Sequence, residues 1–267
     1  MTHPIPAFDP RVAFRLDGTV CVVTGAGAGI GRAIAFAAAR SGARVQVLDR
    51  DAEAAARTRY EIETEGLKAA AWPADVADEA SVVAAFDGIA RAEGRIDGLV
   101  NNAGLAIRRA ATDLDLADWN RVVAVNMTGA FLCARTAARH MLPAGRGAIV
   151  NMSSIMGLSG GGLYPNISYQ TTKGAVVNLT RALAVEWAAQ GIRVNAIAPT
   201  WVRTDFIRPL LDKPELVARM EGATPLGRVA ETDDIVGAVL FLLSPAAAMV
   251  TGHTLPVDGG IMAAFPR

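Results

Sequence analysis

Seven short runs of aliphatic and β-branched residues alternate along the chain with longer alanine-rich runs of helical period, and this alternation constrains the fold more than any other feature. Residues 19–24 (TVCVVT), 44–48 (RVQVL), 69–76, 97–101 (DGLVN), 148–152 (AIVNM), 193–198 (RVNAIA) and 253–257 read as strands. Residues 30–40, 51–65, 78–93, 117–142, 168–189 and 231–243 read as helices, the first stopped by Gly42. Several strand runs are apolar at successive positions rather than at every second one. Such strands need cover on both faces, and the helices between them supply it. With right-handed crossovers the expected architecture is α/β, a doubly wound parallel sheet of about seven strands. The whole of 1–267 reads as a single domain, with no internal repeat or linker. Ligands of such sheets bind beyond the carboxyl ends of the strands, so the residues that follow each strand carry the functional weight.

Composition narrows the possibilities. Hydrophobic residues make up 52% and charged residues 19%, enough apolar material for a large core and too little charge for a disordered chain. Lys+Arg and Asp+Glu both number 26, so bulk charge holds the chain neither to nucleic acid nor to an anionic membrane. The two cysteines, Cys21 and Cys133, form no CxxC, and His3, His140 and His253 form no cluster. No metal site or disulfide framework is expected. Residues 1–15 carry three prolines and no long apolar run, and read as an N-terminal arm rather than a secretory signal. The apolar stretch 235–243 is too short to span a bilayer. A cytoplasmic protein with a small-molecule substrate is expected.

Between the first strand and the first helix lies Thr24-Gly25-Ala26-Gly27-Ala28-Gly29-Ile30-Gly31. Glycine permits a tight turn and close approach of backbone to ligand. The helix start behind it offers unpaired N–H groups to a pyrophosphate. A plain strand–helix turn is the bland alternative. Asp49 ends the next strand 18 residues after Gly31, near the spacing at which an acid accepts a ribose 2′-OH. A 2′-phosphate beside that carboxylate would meet a like charge. At ~4 Å this costs ~1 kcal/mol in water and ~4 kcal/mol at an effective dielectric of ~20, a roughly 5- to 1,000-fold bias to NAD over NADP. Arg50 is the opposing signal, able to hold a 2′-phosphate or simply to stand solvated.

Tyr169 and Lys173 stand four apart at the start of a long helix, on one face and one turn apart. The chain has only three Tyr and three Lys, which disfavours accident. A phenol with a pKa of ~10 is a poor base at neutral pH, and a neighbouring ammonium lowers that value. The pair can therefore act as a general acid/base where histidine is scarce. It can also merely pack on a helix face.

In order and spacing, the glycine loop, Asp75-Val76, Asn101-Asn102-Ala103-Gly104, Asn126, Ser153-Ser154, Tyr169-x3-Lys173, 199–204 and Val257-Asp258-Gly259-Gly260 resemble the short-chain dehydrogenase/reductase family over about 16–260. The resemblance implies a Rossmann-like fold and hydride transfer between a nicotinamide dinucleotide, here NAD, and a secondary alcohol or ketone. It implies that Tyr169 exchanges a proton with the substrate oxygen and that Ser154 positions that oxygen. Lys173 would hold the nicotinamide ribose and depress the Tyr169 pKa, and Asn126 would bind a water leading from Lys173 to solvent. Gly25, Ala28, Gly29, Ile30, Gly31, Asp49 and Arg50 would hold the phosphates and adenosine ribose. Asp75 and Val76 would contact the adenine. Asn102, Ala103 and Gly104 would line the cofactor, and Pro199, Val202 and Thr204 its nicotinamide side. Taken alone, Asn102 can cap a turn and Asn126 can be a buried residue satisfied by backbone.

Two departures bear on the substrate. Ser154 and Tyr169 are 15 residues apart, about two more than is common in the family, and Thr200-Trp201 follow Pro199 where glycine is frequent. Gly160 in the lengthened loop, Trp201 and Phe206 join Ser154 and Tyr169 as candidate substrate contacts. Residues 205–228 read as a lid. The chain is most similar to bacterial members that oxidise polyols, sugars or sugar acids, galactitol dehydrogenases among them. That likeness rests on the long loop, on 14–18 and on 182–187 (ALAVEW). An NADPH-dependent 3-oxoacyl-carrier-protein reductase is the alternative, and a non-catalytic nucleotide sensor is another. Gly157-Leu158-Ser159-Gly160-Gly161 also fits G-x-S-x-G, but a hydrolase elbow needs a strand directly before the serine and a helix directly after it. The apolar circumference of 117–142 and 168–189 suits a homotetramer, with 255–267 reaching a neighbour.

Overall fold

A computed structural model describes residues 9–264. Residues 1–8 of the expected arm and 265–267 of the expected inter-subunit tail lie outside the described residues. The strands are β1 Val20–Thr24, β2 Arg44–Asp49, β3 Ala69–Pro73, β4 Gly98–Asn101, β5 Gly147–Met152, β6 Ile192–Pro199 and β7 Thr254–Val257. They form one sheet in the order β3-β2-β1-β4-β5-β6-β7, every pair parallel. The α-helices are α1 Pro10–Ala13, α2 Gly29–Arg40, α3 Ala52–Thr64, α4 Glu79–Glu93 and α5 Leu116–Val123, then α6 Gly129–Met141, α7 Ile167–Trp187, α8 Arg208–Leu211, α9 Pro214–Ala223 and α10 Thr232–Leu243.

The continuous apolar strands serve two cores. Side chains alternate across a strand, so Val20 and Val22 pack with Phe86 and Ile89 of α4, Leu132 of α6 and Leu183 of α7. Cys21 and Val23 face the other way, onto Ile34 and Ala38 of α2, Ile62 of α3 and Val239 of α10. A third cluster gathers Ile155, Met156, Trp201, Ile207, Leu210, Met220 and Val229 over the carboxyl end of β6. Among the described residues no helix is long and apolar enough to cross a membrane.

Two expected elements differ. The run 69–76 ends as strand at Pro73, and Asp75 instead accepts the N–H of Ala77 in a turn. The run 117–142 is not one regular helix, because Ala124–Thr128 forms a π-turn between α5 and α6. A π-turn carries an extra residue in the turn. Here it holds Asn126, whose amide reaches across to the loop after β4, a tie that helical periodicity does not encode.

Candidate active site

A cavity of about 340 Å³ opens beyond the carboxyl ends of the strands, where β1 lies between β2 and β4. This is the crevice in which doubly wound sheets bind ligands. Gly25, Ala28, Gly29 and Ile30 line it from the β1–α2 turn. Gly25 and Gly29 adopt φ of +64° and +53°, a region that favours glycine. A Cβ on Gly25 would sit 2.9 Å from Ala103 Cα. Helices α3, α4 and α5 are capped by Asp51, Asp78 and Asp115, whereas Ala28 gives α2 no side-chain cap. The first N–H groups of α2 are thus left open to an anion. Gly31 does not line the cavity. It lies behind the turn, where a side chain would collide with the Gly25 carbonyl and the Asn102 amide.

Asp49 and Arg50, at the end of β2, stand at one end of the cavity with Ala74, Asp75 and Val76. The Asp49 carboxylate accepts the Gly27 N–H at 2.9 Å and the Asp51 N–H at 3.0 Å, so one acid fixes both the glycine turn and its own position. Arg50 is exposed. Asn102, Ala103 and Gly104 line the opposite wall. The Asn102 amide nitrogen donates to the Thr24 and Gly25 carbonyls at 3.0 and 3.1 Å, tying β4 to the glycine turn. Pro199, Val202 and Thr204 line the far side, at the end of β6.

Ser154, Tyr169 and Lys173 converge on the same cavity, and Asn126 does not reach it. Ser154 follows β5 and its hydroxyl accepts the Met156 N–H at 3.1 Å. The Tyr169 ring lies 6.0 Å from that of Phe206. Burial pushes the Tyr169 phenol up to about 12, against the pull of the Ser154 hydroxyl. Tyr164 adds to the rise and the Arg108 charge opposes it. Lys173 is buried, and burial pushes its ammonium down to about 8. Its Nζ donates to the Met152 carbonyl at 2.6 Å and sits 5.4 Å from the centre of the Tyr169 ring. The ammonium is engaged by the end of β5 and stands over the ring. Asn126 accepts the Leu105 N–H at 2.8 Å and donates to the Leu105 carbonyl at 2.9 Å and to Thr172 Oγ1 at 3.2 Å. It braces the β4 loop against α7.

Of the expected substrate contacts, Trp201 and Phe206 line the cavity. Gly160 does not: it is exposed, and its carbonyl accepts from Gln170. Ile207 from the expected lid also lines the cavity, whereas Leu210 and Met220 are buried in the third cluster. Ser159 lies in an irregular loop with its hydroxyl donating to the Ile155 carbonyl, and forms no hydrolase elbow. Arg108 and Tyr164 also line the cavity. The available signal was the position of Arg108 just after β4, at a carboxyl end. Among the described residues no cluster of three His, Cys, Asp or Glu is placed to hold a metal ion.

A dinucleotide cradle and a half-buried phenol beside a buried amine at one switch point define a nicotinamide-linked oxidoreductase site. Residues 25–262 match a family model described as enoyl-(acyl carrier protein) reductase. The chain belongs to the short-chain dehydrogenase/reductase family. It is 47% identical over 253 residues to a galactitol 2-dehydrogenase (L-tagatose-forming) from Cereibacter sphaeroides, covering 94% of this chain and 98% of the relative. It is 48% identical over 202 residues to an inactive 2-(S)-hydroxypropyl-CoM dehydrogenase 2 from Xanthobacter autotrophicus, covering 73% and 86%. A gluconate 5-dehydrogenase from Burkholderia cenocepacia J2315, solved with NADP and tartrate, superposes with a TM-score of 0.93 at 37% identity, covering 96% of this chain and all of that one. The chain is a nicotinamide-dinucleotide oxidoreductase acting on CH–OH groups of secondary alcohols.

Proposed function

We propose that the protein oxidises a secondary hydroxyl of a polyol, sugar or sugar acid to a ketone, with NAD as the preferred coenzyme. The observation that carries this reading is the convergence of Ser154, Tyr169 and Lys173 on the cavity that the glycine turn and Asp49 also face. The open α2 N-terminus and the two positive-φ glycines fit a pyrophosphate. Asp49 fits an adenosine ribose, with Asp75 and Val76 toward the adenine and Asn102 to Gly104 along the wall. Pro199, Val202 and Thr204 fit the nicotinamide side. When bound, the coenzyme supplies a hydride acceptor or donor.

The protein's own groups handle the proton. Ser154 holds the substrate oxygen, and Tyr169 takes its proton in oxidation or returns it in reduction. With the phenol near 12, Tyr169 keeps its proton at neutral pH, so the form that reduction needs is present, though as a weak acid. Oxidation needs the phenolate, and each unit of lowering requires ~1.4 kcal/mol of differential interaction. The Lys173 ammonium, 5.4 Å from the ring centre, and the Arg108 charge are the cations at hand to supply it. Asn126 keeps the β4 loop and α7 in register around that lysine.

The fixed Asp49 carboxylate supports NAD. The NADP in the Burkholderia neighbour and the exposed Arg50 support the second reading, an enzyme that accepts NADP. The named polyol and sugar relatives favour these substrates over a 3-oxoacyl group on a carrier protein. Residues 205–228 act as the lid. Exposed apolar side chains on the outer helices, Phe131, Ile167 and Val185 among them, support a homotetramer. A panel of polyols, sugar acids and secondary alcohols with NAD or NADP, followed by absorbance of the reduced ring, tests the reading. No reduced coenzyme with any of them would refute it.

A further inference from the structure

The mouth of the cavity carries a cation without a partner. Arg108 lines it half-buried, with its Nε buried and unbonded. Its Nη2 donates to the Phe206 carbonyl at 3.3 Å, and its charge and a side-chain hydrogen bond both act on the Tyr164 hydroxyl. The adjacent Arg109 is exposed and pairs with Asp115 and Asp118, but no acidic side chain pairs with Arg108 among the described residues. Asp205, the acid nearest in sequence to Phe206, lines the same cavity and pairs with Arg208. The guanidinium is held by aromatic faces instead, 5.8 Å from the centre of the Tyr164 ring and 5.5 Å from that of Phe206.

Tyr164 supplies a second donor. Its hydroxyl oxygen accepts the Trp201 Nε1–H at 3.0 Å, which leaves its own O–H free to donate. Tyr164 comes from the lengthened loop and Trp201 from the Thr200-Trp201 pair that follows Pro199, and one hydrogen bond joins the two segments. Two donors and a net positive charge at this wall match a planar anion that accepts from both.

We propose that Arg108 and Tyr164 form a carboxylate subsite, so that the substrate is a hydroxy acid of the sugar-acid class rather than a neutral polyol. The inference rests on the dehydrogenase reading and narrows its substrate. Trp201 is a positioning residue that aims the Tyr164 hydroxyl.

The test compares an aldonate with the alditol of equal carbon number, using purified enzyme and each coenzyme. The wild type is expected to favour the aldonate in kcat/KM. Removing one partner of a desolvated charge pair is strongly unfavourable. In Arg108→Gln the aldonate-to-alditol ratio of kcat/KM should therefore fall on the order of 30- to 1,000-fold. Tyr164→Phe should lower it by roughly 10-fold, through a higher KM for the aldonate. Coenzyme titration by fluorescence confirms that each variant is folded. Preference of the wild type for the alditol, or an unchanged ratio in folded Arg108→Gln, overturns the subsite and leaves the dehydrogenase reading standing. Turnover of neither compound, nor of any other secondary alcohol, overturns both.

Discussion

Lys173→Met should make the coenzyme-free protein more stable at pH 7 while removing its activity. Burial lowers the Lys173 ammonium from 10.5 to about 8, so the folded state holds this proton less tightly than the unfolded chain. At ~1.4 kcal/mol per unit, carrying the charge below pH 8 costs about 3 kcal/mol. Methionine removes that cost but leaves the Met152 carbonyl without its 2.6 Å donor, a loss of about 1–3 kcal/mol. The net gain is about 0–2 kcal/mol, or a rise in Tm of up to roughly 8 °C for a chain of this size. The sign reverses with pH. Between about 8 and 10.5 the unfolded chain binds more protons than the folded one, so the wild type gains stability as pH rises and the variant does not. The Tm difference should shrink from pH 8 and change sign by about 10.5. Thermal unfolding followed by circular dichroism from pH 7 to 10 measures it. A variant less stable at pH 7, with a difference that stays flat to pH 10, would refute the reasoning.

Three other outcomes follow from the site. Tyr169→Phe should lower kcat by about 10²- to 10⁴-fold while NADH still binds; because the phenol sits near 12, wild-type oxidation should rise with pH across 7–10, and a flat pH profile with persistent turnover would remove Tyr169 from the proton step. Asp49→Ala should relax the preference for NAD by up to about 1,000-fold, and also weaken binding of both coenzymes, since the Gly27 N–H loses its acceptor; unchanged kcat/KM ratios for the two coenzymes would count against it. Gly31→Ala should abolish coenzyme binding and destabilise the fold, because the added methyl meets the Gly25 carbonyl and the Asn102 amide, and near-normal NADH affinity in that variant would contradict the packing described.

The acid–base machinery works against stability. The buried Lys173 ammonium is unfavourable at pH 7 and the surrounding core holds it in place, whereas the Tyr169 phenol is neutral there in both the folded and the unfolded chain and costs nothing. The same burial makes the pair responsive to charge. In a dry site a cation acts with a far lower effective dielectric than in water. The π-turn at Asn126 contributes through position alone, holding the loop after β4 against Thr172, one residue before Lys173.

Local sequence determined much of this protein. Nearly continuous apolar strand runs required cover on both faces, and the parallel pairing follows that demand, whereas the strand order is read from the structure. The glycine turn, the acid at the end of β2 and the four-residue spacing of Tyr169 and Lys173 are short-range features, so they were legible as they stood. What the tertiary structure alone decided involves partners far apart in the chain. Lys173 meets the Met152 carbonyl 21 positions away, Asn126 meets Thr172 at 46, and Arg108 meets Phe206 at 98. Gly160 sits in the same loop as Tyr164 yet points away from the site, because its carbonyl is taken by Gln170. Secondary-structure periodicity reports which face of an element is apolar. Which groups on different elements end up within hydrogen-bond reach depends on how the strands and helices pack, and only there did the lysine acquire its carbonyl and the arginine its aromatic walls.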